Sequence, residues 1–257
     1  MSVLSYLQTR ASQAVLSTTE NTSINTSIST LATRLNYHFG ANVSSHFRFG
    51  SSTRGTILPR AMDDHSDIDY MVVFAQGGYS PQTYIDRLRE FAETYYSTSD
   101  IKQSSPTIVL QLNHIKFDLV PALAGYWPGV YQIPNGPTAW RDTNPNDFNA
   151  KLTAKNQAEL NLIKPTIRLA KFWNARNGYV YDSYGFEKWI VEQSYYFDNN
   201  QKAYLFSVFD KLGANEAAAW RNEKINRAKQ IIAKVREYEA DNMPFTAESE
   251  IKKLIPE

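Results

Sequence analysis

The sequence predicts an α+β protein with two lobes, a mixed β-sheet lobe followed by a helical lobe. Short apolar runs of strand length fall in the first half of the chain, whereas apolar residues in the second half recur every three or four positions, as on helices. Between the halves, residues 121–145 contain eight Pro and Gly residues, and such an irregular passage is typical of a crossover between domains. We therefore expect a cleft between the lobes, where ligands tend to bind.

The first lobe is predicted to hold two helices followed by the strands. Apolar side chains at helical spacing, such as Leu7 and Ala11, predict two helices within residues 1–40. Strands are predicted at 44–49, 67–74, 107–112 and 115–120, with a helix over 84–96. The second of these strands begins with Asp-Ile-Asp and then becomes apolar, which is typical of a central strand with an exposed, functional start.

The second lobe is predicted to be helical throughout. Its helices are expected at residues 158–176, 184–196, 202–211 and 217–240. The predicted domains are therefore N-terminal helices at 1–40 that pack on both lobes, a catalytic core at 41–145 and a helical lobe at 146–257.

Composition excludes several classes of protein. The 257 residues include 27 Lys and Arg against 26 Asp and Glu, a balance that neither a basic nucleic-acid coat protein nor an acidic disordered tail would show. The absence of cysteine excludes thiol catalysis, disulfide frameworks and Cys-ligated metal sites. No apolar run approaches the roughly 18 residues of a membrane helix, so the expectation is a soluble, cytoplasmic protein without a membrane partner.

Three aspartates form the predicted centre of chemistry. Asp67 and Asp69 are two residues apart on a strand, so both point to one face, where they repel each other unless one is protonated or a cation binds between them. Asp118 lies within the apolar run IKFDLVPAL, where a lone buried carboxylate is costly. If these two strands are neighbours, the three carboxylates converge into a site of hard oxygen ligands that suits Mg²⁺.

A small-residue loop, FGSSTRGT, precedes this region. Gly50 would let the backbone approach a phosphate, and Ser51 or Ser52 would donate hydrogen bonds to it. Most Gly/Ser loops are plain turns, but one that is followed by Asp-x-Asp on a strand and by a later strand Asp is a much more specific pattern.

With these residues the sequence resembles the DNA polymerase β-like nucleotidyltransferase superfamily, whose signature is a Gly-Ser turn, an Asp-x-Asp pair and a distal Asp. The runs GSSTRGT, SDIDYMVVF and FDLVPAL are most similar to bacterial CD-NTases, relatives of cyclic GMP-AMP synthase and 2'-5' oligoadenylate synthetase. The stretches YQIPNGPTAWRDTNPNDF, IRLAKFWNARN and SYGFE are also similar, with Phe186 in place of the usual Leu. The resemblance covers residues 47–190 and implies the two-lobed nucleotidyltransferase fold.

The resemblance implies a metal site in the first lobe. In that reading Asp67, Asp69 and Asp118 are catalytic and hold two Mg²⁺ ions, with Mn²⁺ as a possible substitute. Asp118 would be the group nearest the attacking ribose hydroxyl.

The resemblance also implies the nucleotide contacts. Gly50 and Ser51 would cradle the β and γ phosphates, Lys171 would reach them as a point charge, and Ser183 would add a phosphate contact. Tyr184 would stack on the donor base.

Two further residues allow a second interpretation. Arg54 is a candidate for a phosphate contact or for a simple pairing with a nearby aspartate. Glu187 is as well suited to brace its lobe through a salt bridge as to touch the ligand.

The implied function is nucleotidyl transfer from NTPs or dNTPs with release of pyrophosphate, making a cyclic or short oligonucleotide second messenger in bacterial anti-phage defence, with a separate effector protein. One alternative is a template-independent enzyme that makes linear oligonucleotides or tags RNA or a small molecule. A non-enzymatic alternative is a nucleotide sensor or antitoxin-like partner, against which the retention of three mutually repelling carboxylates argues. The near-zero net charge favours small nucleotides over a stable nucleic-acid partner.

Overall fold

A computed structural model describes residues 2–104, 106–196 and 198–257. Met1, Ser105 and Phe197, each of which falls in one of the predicted domains, lie outside the described residues. The strands are β1 (Val43–Phe49), β2 (Asp67–Phe74), β3 (Asp100–Ser104), β4 (Thr107–Gln111), β5 (Lys116–Ala124), β6 (Tyr131–Pro134) and β7 (Trp140–Thr143). The helices are α1 (Val3–Gln13), α2 (Thr18–Phe39), α3 (Ser51–Arg54), α4 (Pro81–Tyr95), α5 (Asp147–Ala158), α6 (Ile163–Arg176), α7 (Ser183–Glu192), α8 (Gln201–Lys211), α9 (Ala219–Ala240) and α10 (Pro244–Ile251).

The chain forms two compact units, and the predicted α+β class with two lobes is confirmed. The sheet unit comprises Leu16–Arg60 and Asp64–Ala150, and the helical unit comprises Met1–Val15, Ala61–Asp63 and Lys151–Glu257. The N-terminal helices that were predicted as one segment are divided, because α1 belongs to the helical unit and α2 to the sheet unit. The later division falls at residues 150/151, where the prediction placed it at 145/146. The predicted cleft stays a prediction.

The sheet unit is built on a seven-stranded mixed sheet with the order β1-β2-β5-β4-β3, extended from β5 by β6 and then β7. The central pair, β2 and β5, is parallel, and the other pairs are antiparallel. One face is covered by α2 and α4, with a large core that includes Ile68, Tyr70 and Phe117. The opposite face carries a smaller core that includes Met71 and Val120.

Local signals define the helices that cover the sheet. At α2, the Ser17 side chain accepts a hydrogen bond from the Glu20 backbone N–H while the Glu20 side chain accepts one from the Ser17 N–H, a capping box that satisfies two otherwise unpaired donors. At α4, Ser80 caps the first turn and Pro81 occupies the first helical position, where its missing N–H costs nothing. Within the described residues, no helix is both long and apolar enough to span a membrane.

Several elements differ from their sequence prediction. The passage predicted as irregular contains β6 and β7, short strands at the edge of the sheet, where the proline that ends β6 is tolerated. The helix predicted at 158–176 is instead the end of α5 and a separate α6. Leu160 and Asn161 interrupt it with φ angles of 54° and 60°. This left-handed conformation is uncommon for leucine, so the sequence does not predict it.

Candidate active site

The first turn of two neighbouring strands carries the acidic residues of the site. Strands β2 and β5 run in parallel, with Asp69 beside Asp118 and Asp67 beside Lys116. Because side chains alternate along a strand, all four of these side chains lie on one face of the sheet. The structure thus brings together the three aspartates that the sequence singled out.

The same face explains why the strands change from polar to apolar. Beyond the aspartates, Met71 and Val73 on β2 and Val120 and Ala122 on β5 continue this face and are buried in the smaller core. The face therefore has a packed half that fixes the strands and a polar half at their starts.

The loop after β1 meets this polar half at Gly50. Its φ of +72° and ψ of −152° lie in a region that only glycine occupies readily. A Cβ built on Gly50 would overlap Asp69 Oδ2 and would lie 2.8 Å from Asp69 Cγ. Glycine is required here for two reasons, backbone conformation and the close approach of the Asp69 carboxylate.

The turn that follows is α3, a single helical turn held by its own hydroxyls. Ser52 Oγ donates to the Phe49 carbonyl at 3.0 Å, and Thr53 Oγ1 donates to the Gly50 carbonyl at 2.9 Å. The Ser51 hydroxyl makes no such bond to the turn among the described residues. Of the two serines that the sequence left open, Ser51 is the one whose hydroxyl is not used to brace the loop.

Lys116 is a member of the site that the sequence analysis missed. Its Nζ lies 3.1 Å from Asp67 Oδ2 and 3.7 Å from Asp118 Oδ1. Burial alone would lower the pKa of this ammonium, but the carboxylates of Asp67 and Asp118 outweigh it and raise the pKa above its ordinary value. The signal in the sequence was its position two residues before Asp118, which on a strand means the same face.

Asp118 is the member of the group whose charged form is least stabilised by its surroundings. Its Oδ1 is buried and makes no hydrogen bond among the described residues. Burial, reinforced by the negative charge of Asp67 and opposed by Lys116, raises the pKa of Asp118 to about 6. In its charged form this carboxylate lacks sufficient partners, so a further cation would stabilise it.

This donor set fits a divalent metal of the Mg²⁺ class. Carboxylate oxygens are its preferred ligands, and the buried Asp118 Oδ1, which accepts no hydrogen bond among the described residues, is a suitable ligand atom. As they stand in the described structure, the ligand oxygens of Asp67, Asp69 and Asp118 do not all lie within 4.8 Å of one another. Lys116 Nζ occupies the space between two of them.

Arg54, the predicted phosphate contact at the end of α3, is buried. Its guanidinium lies over the ring of Phe148, with the Cζ atom 5.6 Å from the ring centroid. Both interpretations of Arg54, a phosphate contact and a pairing with a nearby aspartate, stay predictions.

In the helical unit, Lys171 and Glu187 form a buried ion pair. Lys171 Nζ lies 2.8 Å from Glu187 Oε1, and the two side chains are 8% and 1% exposed. The salt-bridge interpretation of Glu187 is therefore the one that the structure shows, and it ties α6 to α7. A phosphate contact by Lys171 stays a prediction.

The start of α7 carries the other two predicted nucleotide contacts. The Asp182 side chain caps the helix by accepting a 2.5 Å hydrogen bond from the Gly185 backbone N–H. Ser183 is the first helical residue and is exposed. Tyr184 is 43% exposed, and Lys188 Nζ lies 5.6 Å from its ring centroid. Its stacking on a base stays a prediction.

The predicted site residues thus form two groups. Gly50, Ser51, Arg54 and the three aspartates belong to the sheet unit, and Lys171, Ser183 and Tyr184 belong to the helical unit.

Comparisons with known proteins identify the family and the fold of this chain. Residues 1–156 match the family model described as Second Messenger Oligonucleotide or Dinucleotide Synthetase domain. A curated protein of Bacillus cereus (strain VD146), named a probable cyclic nucleotide synthase, is 26% identical over 204 residues, which is 64% of this chain. The match spans 60% of the length of that relative.

Solved structures show the same fold across 97–99% of this chain. CdnC from E. coli MS115-1 is similar both in a structure with ATP and in a complex with HORMA-deltaN, each with a TM-score of 0.73 and 14% identity. These comparisons cover 98–99% of this chain and 97–98% of the other. The CD-NTase CdnG from Bradyrhizobium diazoefficiens, in complex with GTP, has a TM-score of 0.71 and 10% identity over 97% of both chains.

Proposed function

Because this chain belongs to the second messenger oligonucleotide or dinucleotide synthetase family, we propose that it is a Mg²⁺-dependent nucleotidyltransferase. It joins NTPs or dNTPs into a cyclic or short oligonucleotide messenger and releases pyrophosphate. The CD-NTases of the same fold that were solved with ATP and with GTP support nucleoside triphosphates as the substrate class.

The observation that carries this proposal is the convergence of Asp67, Asp69 and Asp118 on one face of the central parallel pair of strands. The buried Asp118 Oδ1 without a hydrogen bond supports a cation site, and the close approach of the Gly50 loop to Asp69 supports a phosphate-binding turn beside it. Three neighbouring carboxylates on one face of a sheet repel one another, so they do not stabilise the fold by themselves.

The residues of the chain then have distinct tasks. Asp67, Asp69 and Asp118 would hold Mg²⁺, which would neutralise the charge of a triphosphate and lower the pKa of an attacking ribose hydroxyl. The Ser51 hydroxyl and the backbone around Gly50 bind phosphate oxygens, and Lys171 adds positive charge. Tyr184 stacks on the base, a contact that tolerates different bases. The acceleration comes mainly from positioning and electrostatics.

The proposal is tested by supplying labelled NTPs and dNTPs with Mg²⁺ or Mn²⁺. The products are treated with phosphatase and identified by mass spectrometry, which reports base, sugar, linkage and cyclisation together. We expect pyrophosphate and a phosphatase-resistant product. A protein that binds nucleotide but forms no new phosphodiester bond under any of these conditions would be the sensor of the non-enzymatic alternative.

Asp69→Asn supplies the matched loss of function. It removes one negative charge from the site while keeping the shape of the side chain, so turnover is expected to fall to background with an unchanged circular dichroism spectrum. Asp100→Asn is the control, because Asp100 is an exposed residue on β3 of the same sheet and pairs with Lys102. Full activity of Asp69→Asn would contradict the metal assignment.

The second candidate keeps the chemistry and changes the product. A linear, phosphatase-sensitive oligonucleotide in the same assay would identify a template-independent polymerase or a tagging enzyme. The name of the Bacillus cereus relative favours the cyclic product.

A role in anti-phage defence with a separate effector completes the proposal. The complex of CdnC with HORMA-deltaN shows that a protein of this fold associates with a separate protein. An enzyme that consumes NTPs is expected in the cytoplasm, where NTPs are found. Survival of cells challenged with phage, with the wild type and with Asp69→Asn, tests the defence role.

A further inference from the structure

Lys116 is placed to do more than pair with one aspartate. It is the first residue of β5 and lies directly beside Asp67 in the parallel register. Its Nζ is within 3.1 Å of Asp67 and 3.7 Å of Asp118, and its side chain is 21% exposed. The ammonium therefore stands between two of the carboxylates that would bind a metal.

The charge balance explains why a cation is needed there. Asp67, Asp69 and Asp118 share one face of two adjacent strands, and charged carboxylates so close together repel one another. A tethered ammonium reduces this repulsion without having to be captured from solution. A lysine suits this task because it is a point charge on a flexible stem, which can leave without disturbing the backbone.

We infer that Lys116 is the built-in counter-ion of the metal site. Its ammonium holds the place between Asp67 and Asp118 in the metal-free protein, and a divalent cation binds only when the ammonium moves away. Lys116 therefore stabilises the metal-free fold and weakens the affinity of the site for a free divalent cation. This inference rests on the metal site of the proposed function.

The test is a Mn²⁺ titration in the absence of nucleotide, in which electron paramagnetic resonance measures free Mn²⁺. Lys116→Met removes the competing charge and keeps most of the side-chain volume. We expect it to bind Mn²⁺ about tenfold more tightly than the wild type. An opposite charge at this range weakens the affinity of a carboxylate for a proton by about 10- to 1,000-fold, and it acts on a metal cation in the same direction. Without metal, the same variant is expected to melt at a lower temperature.

Three further variants make the result specific. Lys116→Gln is titrated in parallel. Its amide is uncharged but can still donate a hydrogen bond to Asp67, so this variant serves if Lys116→Met fails to fold. Lys102→Met is the matched control, since Lys102 pairs with Asp100 at 2.6 Å on the exposed edge of the same sheet. Asp118→Asn removes one proposed ligand, so the Mn²⁺ binding that this variant loses is the binding at the site.

The outcomes separate this inference from the proposed function. Tighter Asp118-dependent Mn²⁺ binding in both Lys116 variants, with Lys102→Met unchanged, supports the counter-ion role. Unchanged or weaker binding in both Lys116 variants overturns it and leaves the metal site standing. Absence of Asp118-dependent binding in every variant overturns both.

Discussion

The buried pair of Lys171 and Glu187 allows stability and nucleotide binding to be separated. At 2.8 Å the Coulomb attraction is about 6 kcal/mol for an effective dielectric constant near 20. Desolvation of two nearly inaccessible charges offsets part of this attraction. Removing one partner is expected to cost about 3–5 kcal/mol, because the other charge stays buried after its ion pair is lost.

The perturbation is a double-mutant cycle of Lys171→Met and Glu187→Met. Each single variant is expected to lower the free energy of unfolding by about 3–5 kcal/mol, whereas the double variant recovers most of the loss because both buried charges are gone. Urea unfolding followed by tryptophan fluorescence is a suitable assay, since the buried Trp173 lies on α6, two residues after Lys171.

A second ion pair in the same unit is the matched control. Lys151 and Glu192 are 3.1 Å apart, but their side chains are 54% and 52% exposed. Removing either one is expected to cost about 0–1 kcal/mol, because water screens the pair. If Lys171 binds phosphate, the double variant folds stably yet binds NTPs weakly. The reasoning would be refuted if Lys171→Met and Glu187→Met each lowered the free energy of unfolding by less than about 1 kcal/mol. It would also be refuted if the loss in the double variant equalled the sum of the two single losses.

The other predictions concern the sheet unit and the exposed tyrosine. Gly50→Ala is expected to lower the free energy of unfolding by at least about 1–3 kcal/mol because of its backbone conformation alone. It is also expected to lose activity, because the added Cβ displaces the Asp69 carboxylate. Gly40→Ala, also at positive φ but with open space around its Cβ, should lose stability and keep activity. Tyr184→Ala should weaken NTP binding in calorimetry by about 1–3 kcal/mol and Tyr184→Phe should not; equal affinities would exclude stacking. Burial lowers the pKa of the His46 side chain in the folded protein below its ordinary value of 6.5. As the pH drops through 6.5, the unfolded state binds a proton at His46 before the folded state does, so the free energy of unfolding should decrease. An unchanged pH dependence of stability in His46→Gln would contradict this.

Much of the site was predictable because strand periodicity is local. Two aspartates two residues apart must share a face once the segment is a strand, and the same alternation places Lys116 on the face of Asp118. The switch from Asp-Ile-Asp to a continuous apolar run likewise indicated a central strand, and β2 is the second strand of the sheet order, between β1 and β5.

Other features were beyond local patterns. Nothing in the apolar spacing of residues 158–176 signals that Leu160 and Asn161 adopt positive φ and split the predicted helix. The short strands β6 and β7 were hidden in a Pro- and Gly-rich passage, because they depend on pairing with β5 rather than on their own composition.

The sequence by itself determined the strand and helix periods, the shared face of Asp67 and Asp69 and the glycine-serine turn, since each depends on neighbours along the chain. The tertiary structure alone decided the parallel register that sets Asp118 beside Asp69, the contact of the Lys116 ammonium with two carboxylates, and the burial of Lys171 against Glu187. These contacts join residues far apart along the chain or depend on how the strands pair. Their energies come from burial and charge proximity, which exist only after the chain has folded.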